Sequence, residues 1–442
     1  MPALLDGLTP VDAFPTVDEM AAFTQRVAAE HPDVVTVREV GRSRQGTAIE
    51  LLSIACPGAA GRALVIGQPH PNEPIGMATI VALVERLLAD PAALAATRSE
   101  WHFVPVADPD GTRLNEGWFA GPFTREHYAR HFYRPESSQQ VEWTFRFQTD
   151  GFDTGEPMPE TRALMAAIDL VRPTALASLH NGEMGGGYYY ASAGAPPAFY
   201  ESLGTLCTDH GIPLHLGDPE TPFSDVLGPA VFTVPTAQQI HDFLVQVGGD
   251  PAELVSGASS VEYAAQVNPD VFGIAVELPY WRDSRSDDTT PDPSGRTLSE
   301  VVLHGLDLQD DMSARVREVL DAEPPAPSPF LDAVVSFTAQ DDYAEVQRQA
   351  ALANPEADRP ASVAEVFSVM DNVHMFRLRI GGMLLRAVPA ASRSAAEELF
   401  AGWCAEAAAD NQAETIPISD LVAVQGGAIL ATVAHSVAHV PA

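Results

Sequence analysis

The 442-residue chain carries 60 acidic side chains against 25 basic ones, all of them arginine, for a formal charge of −35 at pH 7. A surface of that sign repels nucleic-acid phosphates and anionic lipid heads, which argues against nucleic acid and membrane as partners. Hydrophobic residues make up 46% of a chain longer than one ordinary domain, enough for a large buried core.

The opening, MPALLDGLTPVDAF, lacks the basic start and apolar core of a secretion signal. No later apolar run reads as long enough to span a bilayer, so a cytoplasmic protein is expected. Residues 17–30, VDEMAAFTQRVAAE, repeat apolar positions at helical spacing, and HPD breaks the pattern before the strand VVTVREV. AIELLSIA and RALVIG read as two more strands, TIVALVERLLA as an amphipathic helix and WHFVPV as another strand. This alternation predicts an α/β sheet covered by helices on both faces. Further on come the helix TRALMAAIDLV, the strand TALASL, a turn at Gly185, Gly186 and Gly187 into YYYAS, and the buried strand FGIAVEL. Near residue 320 the composition changes. Residues 321–329 are proline-rich and read as a linker, dividing a domain at 1–320 from a mainly helical appendage at 330–442. Cys56, Cys207 and Cys404 lack any C-x-x-C spacing and are expected as buried thiols rather than a disulfide framework.

Chemistry-bearing residues gather at predicted strand ends, where open α/β sheets tend to hold their sites. In VIGQPHPNEPIG, His70 and Glu73 stand three residues apart after the strand RALVIG. On a helical turn such positions point the same way. Imidazole nitrogen and carboxylate oxygen both bind zinc at about 2.0–2.2 Å, and a catalytic zinc uses three protein ligands with a fourth position left to water. The alternative is a loop histidine followed by a glutamate that favours a helix start. His180 ends TALASL beside a glycine run that lets backbone pass close to something. Glu277 lies inside an almost continuous apolar strand, where burying a carboxylate is expensive unless something offsets its charge. A metal-bound water or a buried ion pair with an arginine would do so.

Taken in order, HPNE, DPDG at 108–111, SLH ending at His180 and VEL ending at Glu277 resemble the zinc carboxypeptidase family. GRSRQGTAIELLSI is similar to the early segment of that family, and the resemblance covers roughly residues 17–282. It implies an α/β/α sandwich with a mixed central sheet and zinc held by His70, Glu73 and His180. Glu277 becomes the general base, taking a proton from the metal-bound water and passing it to the leaving amine. The resemblance also asks for an arginine beside the metal to stabilise the tetrahedral oxyanion, for which Arg113 in DPDGTRLNEGW is the first candidate. The substrate, a peptide or small amide with a free carboxylate, needs an arginine fork to hold that group. Where the family has an Asn-Arg pair, this sequence has Tyr133 and Arg134 in HFYRP; Arg125 and Arg130 are nearby alternatives, each open to a structural salt bridge instead. The position of the pocket floor falls near Ser260, which indicates no side-chain preference.

GQPHPNEPIG is similar as well to the G-x-H-G-N-E-P-x-G segment of the succinylglutamate desuccinylase and aspartoacylase branch. That gives a second expectation, hydrolysis of small N-acyl amino acids with the same ligands, although DPDG and the interval from His180 to Glu277 fit the carboxypeptidases better. A third is a non-catalytic relative that binds zinc or peptide ends. The presence of Glu277 argues against it, since a binding module has no need of a buried base.

Overall fold

The alternating strands and helices assemble on a nine-stranded mixed sheet. A computed structural model describes residues 11–217, 224–339 and 341–439. The first ten residues, part of the segment read as lacking a signal, lie outside them. From edge to edge the strands are Val35–Arg42, Ala48–Ile54, Ser99–Val104, Gly61–Ile66, Ala175–His180, Phe272–Glu277, Tyr188–Ala191, Val231–Thr233 and Val226–Gly228. Ser99–Val104 through Phe272–Glu277 form a parallel block, and the strands flanking it pair with it antiparallel.

Period-two alternation divides the core. Ala63 and Val65 face one cluster with Phe23, Ile80 and Leu83, whereas Leu64 and Ile66 face another with Leu164, Ile168 and Leu244. Helices Val17–Glu30 and Ile75–Ala89 therefore cover one face, and Pro159–Val171, Ala237–Val247 and Ser260–Val267 the other. All six residues of Ala175–His180 are buried, as expected of a parallel strand covered on both sides. The expected α/β/α sandwich with a mixed sheet is the fold observed.

The helical region is less separate than its composition suggests. It begins at Leu298–Ala322, ahead of the expected boundary, and the proline-rich stretch is a short irregular connection leading into Pro329–Thr338. The last helix, Ile418–His439, lies on the sheet. Leu421, Val422, Ile429 and Val433 share the cluster of Val65 and Leu179. Ser436 donates to Thr174 O at 2.7 Å, and a Cβ on Gly61 would lie 2.7 Å from Val437 Cγ2. This helix also corrects the expectation about membrane-length runs. It is long and apolar enough to cross a bilayer, with 67% of its most apolar window buried inside the fold. A helix apolar on all sides is what a site enclosed by protein requires. Cys56 and Cys207 are buried free thiols, but Cys404 is only partly covered, so the expectation of three buried thiols is corrected there.

Helix Val363–Ala387 packs against Arg125–His131 so closely that a Cβ on Gly382 would fall 1.7 Å from Ala129 O. Alanine is the better helix former by about 1 kcal/mol. Overpacking costs about 1–3 kcal/mol and occasionally more, and a backbone carbonyl has no rotamer by which to yield. Gly382→Ala should thus lower stability in urea or thermal unfolding. An unchanged or raised midpoint would contradict the close crossing.

Candidate active site

After Gly61–Ile66 the chain passes Gly67, where a Cβ would sit 2.6 Å from Pro105 O. Gln68 then takes φ +53 and donates its side-chain amide to Pro71 O at 2.8 Å. This bend leads into a turn closed by Glu73 N donating to His70 O at 3.1 Å, ahead of helix Ile75–Ala89. Pro74 offers that helix no capping side chain. Asn181 Oδ1 accepts from Ile75 N at 3.3 Å instead, and Asn181 N donates to Glu73 Oε2 at 3.3 Å. The residue after His180 thereby fastens the segment that carries Glu73. Gly76 permits the approach, since a Cβ there would meet Leu179 Cβ at 2.9 Å.

His180 and Glu277 are Cα partners in parallel register, so both close their strands at the same level. His180 Nδ1 lies 3.1 Å from Glu73 Oε2 and 3.7 Å from Glu277 Oε1. The rings of His70 and His180 are 4.9 Å apart. His70, Glu73 and His180, all buried, each offer a ligand atom, and these atoms lie within 4.8 Å of one another.

Whether such a cluster suits a cation is answered by its polar atoms. His70 Nδ1 is buried without a hydrogen-bond partner among the described residues. Burial, reinforced by Arg134, His180 and Arg379, holds His70 well below the usual imidazole range, in the neutral form that a metal ligand needs. Burial also works against a charged His180, but Glu277 and Glu73 outweigh it and push that imidazole up to about 9. Carboxylates converging on a buried nitrogen call for positive charge at that point. Two imidazoles and one carboxylate are a donor set that fits zinc with a position kept for water.

Residues 20–211 match the zinc carboxypeptidase family. The match includes His70, Glu73 and His180 and stops short of Glu277. Zinc carboxypeptidase A 1 of Anopheles gambiae is 27% identical over 176 residues, which span 36% of this chain and 39% of that protein. Among solved structures, carboxypeptidase A from Helicoverpa armigera aligns with 64% of this chain and 70% of its own, at 17% identity and a TM-score of 0.41. A metallo-carboxypeptidase from Burkholderia cenocepacia aligns with 63% of this chain and 62% of its own, at 18% identity and a TM-score of 0.36.

Behind the cluster of this zinc carboxypeptidase-like segment stands a buried relay. Ser178 Oγ lies 2.9 Å from His180 Nε2 and donates to Glu142 Oε2 at 3.1 Å. Because the hydroxyl has one hydrogen, it can accept from Nε2–H only while it donates to Glu142. That pattern holds the histidine by Nε2 and leaves Nδ1 to the cluster. Glu142 Oε1 accepts from Ser260 N at 3.0 Å and Oγ at 2.7 Å. Ser260, expected at a pocket floor, is therefore fully buried with its hydroxyl committed to Glu142. From the last helix, Gln425 donates to His180 O at 2.9 Å and accepts from Thr79 at 2.9 Å, tying both ligand-bearing elements together.

The candidate arginines separate. Arg134 comes to the cluster, where Nη1 meets Glu73 Oε1 at 2.7 Å and Nε donates to Gln140 at 3.0 Å. With Arg134 on one side and His180 on the other, the Glu73 carboxyl stays below its usual range although burial pushes the other way. Arg113 is not brought there. It reaches Asp18 Oδ1 at 2.6 Å, 39% exposed, because the short helix Pro109–Arg113 directs it towards helix Val17–Glu30. Arg130 pairs with Glu126 and Glu397, away from the ligands. Tyr133 packs on Phe330, ring centres 5.3 Å apart, and lines a separate cleft with Pro327 and Asp332. Arg125 is buried between Glu183 Oε1 at 3.1 Å and Asp371 Oδ1 at 3.0 Å.

Sequence reasoning missed Arg379 altogether. On helix Val363–Ala387, its Nε donates to Glu183 Oε2 at 2.9 Å and its guanidinium lies 5.1 Å from the Phe132 ring centre. Nothing in the local sequence distinguishes it from a surface arginine. Glu183, three residues after His180, was the one available hint.

Proposed function

We propose that the chain is a zinc-dependent hydrolase that removes the C-terminal residue of peptides. The observation that carries this reading is the convergence of His70, Glu73 and His180 with Glu277 at or beyond the ends of three adjacent parallel strands. His70, Glu73 and His180 would hold the zinc, which would supply Lewis-acid polarisation and activation of a water. Glu277 lies just outside the ligand set, 3.7 Å from His180 Nδ1, with 13% of its side chain exposed. Its role is to take the proton of the attacking water at a carboxylate oxygen and return it to the leaving nitrogen. Arg134 fixes the Glu73 carboxylate and keeps positive charge beside the cluster, which favours a developing oxyanion. It takes the part first assigned to Arg113.

The test combines metal content with a substrate panel. Purified chain should carry about one zinc, lose hydrolysis to a chelator and regain it with added zinc. Blocked dipeptides with a free C-terminal acid should be cleaved in preference to short N-acyl derivatives of single amino acids. The opposite preference would assign the chain to the deacylase reading, and stoichiometric zinc with no hydrolysis of any amide would leave a binding protein.

A further inference from the structure

An exopeptidase has to hold a terminal carboxylate, and the candidate arginines Arg125 and Arg134 are already paired with acidic side chains. Arg134 already holds a carboxylate, with Nε on Gln140 and Nη1 on Glu73. Arg125 has both terminal nitrogens on Asp371 and Glu183. Arg379 differs. Only its Nε is engaged, on Glu183, while Nη1 and Nη2 donate to no acceptor among the described residues and 12% of the side chain remains open.

The fork is also held in one orientation. Glu183 is pinned through its second oxygen by Arg125, and the Phe132 ring lies beside the guanidinium. A guanidinium fixed before the ligand arrives loses little freedom on binding. Its link to the metal ligands is short. Tyr280 N donates to Glu183 O at 3.0 Å, and Tyr280 Oη donates at 2.8 Å to the carbonyl of Asn72, which stands between His70 and Glu73. Glu183, the partner of Arg379, also lines a cavity of about 420 Å3 together with Tyr188, the strand neighbour of Glu277.

We infer that Arg379, supplied by a helix outside the family-matching segment, binds the free carboxylate of the substrate through its two open terminal nitrogens. The inference rests on the hydrolase reading and deepens it. Loss of a charge-assisted bidentate contact in a desolvated site lowers kcat/KM by about thirty-fold to several thousand-fold.

The experiment compares a blocked dipeptide acid with its C-terminal amide in the wild type, Arg379→Gln, Arg379→Lys and Arg379→Ala, with zinc content measured for each. Wild type should favour the acid. Arg379→Gln should lose that preference, chiefly through KM, while cleaving the amide within a few-fold of wild type and keeping its zinc. Arg379→Lys, with charge but no fork, should fall between. Added guanidinium should restore acid cleavage to Arg379→Ala, a rescue that a purely structural role would not produce. An acid preference retained in Arg379→Gln overturns the assignment, and so does equal loss on both substrates with loss of zinc. If the wild type cleaves no dipeptide at all, it is the hydrolase reading that fails.

Discussion

Glu277→Gln should keep its zinc and its fold while turnover falls by about 10²–10⁴-fold, the usual contribution of a positioned general base. The amide has nearly the shape of the carboxylate, and Glu277 is not among the three clustered ligand residues, so neither packing nor metal content has reason to change. What is lost is the oxygen that accepts a proton. The distance of 3.7 Å to His180 Nδ1 puts that oxygen beside the cluster without making it a ligand. The variant separates polarisation from proton transfer, since the residues that would hold zinc are untouched. Metal analysis and kcat on one dipeptide suffice, and turnover near wild type would remove Glu277 from the mechanism.

What could be read from the sequence depended on how locally each signal was written. His70 and Glu73 were legible because three residues of spacing and a preceding apolar strand are local features. His180 and Glu277 were legible because each ends a buried strand. Their register as neighbours follows from the sheet and was carried only by family resemblance. Arg379 and Gln425 lie hundreds of residues from His70 and reach the site through helix packing, which leaves no periodicity in the sequence. Arg113 shows the opposite case. It follows DPDG closely in the chain, yet Asp108 and Asp110 fix the segment inward by holding Gly111 N and the Ser43 hydroxyl, while Arg113 turns to Asp18. Proline-rich residues near 325 looked like a boundary because composition reports the local backbone and not the contacts across it. The contacts of Ser436 with Thr174 and of Gln425 with His180 show the two regions sharing one core.

His180→Ala should cost the chain its zinc. Two ligands on a bend, His70 and Glu73, would remain, and a site built for three protein donors binds weakly with two. The neighbours sharpen the loss. Glu73 would give up its 3.1 Å contact and keep Arg134, so its carboxylate would be drawn towards the arginine and away from the cluster. Metal content after gel filtration should fall from about one per chain to a trace, and added zinc, which should raise the melting temperature of the wild type, should leave that of the variant unchanged. Ser178→Ala serves as the graded control. It leaves all three ligands and removes the hydroxyl that links His180 Nε2 to Glu142. Loss of such an orienting partner weakens metal binding by about 10–100-fold, so this variant should keep zinc in excess metal and lose it to a competing chelator sooner than the wild type. Stoichiometric zinc in His180→Ala would take that residue out of the ligand set. If Ser178→Ala holds zinc as tightly as the wild type, the relay through Glu142 supports the strand rather than the metal.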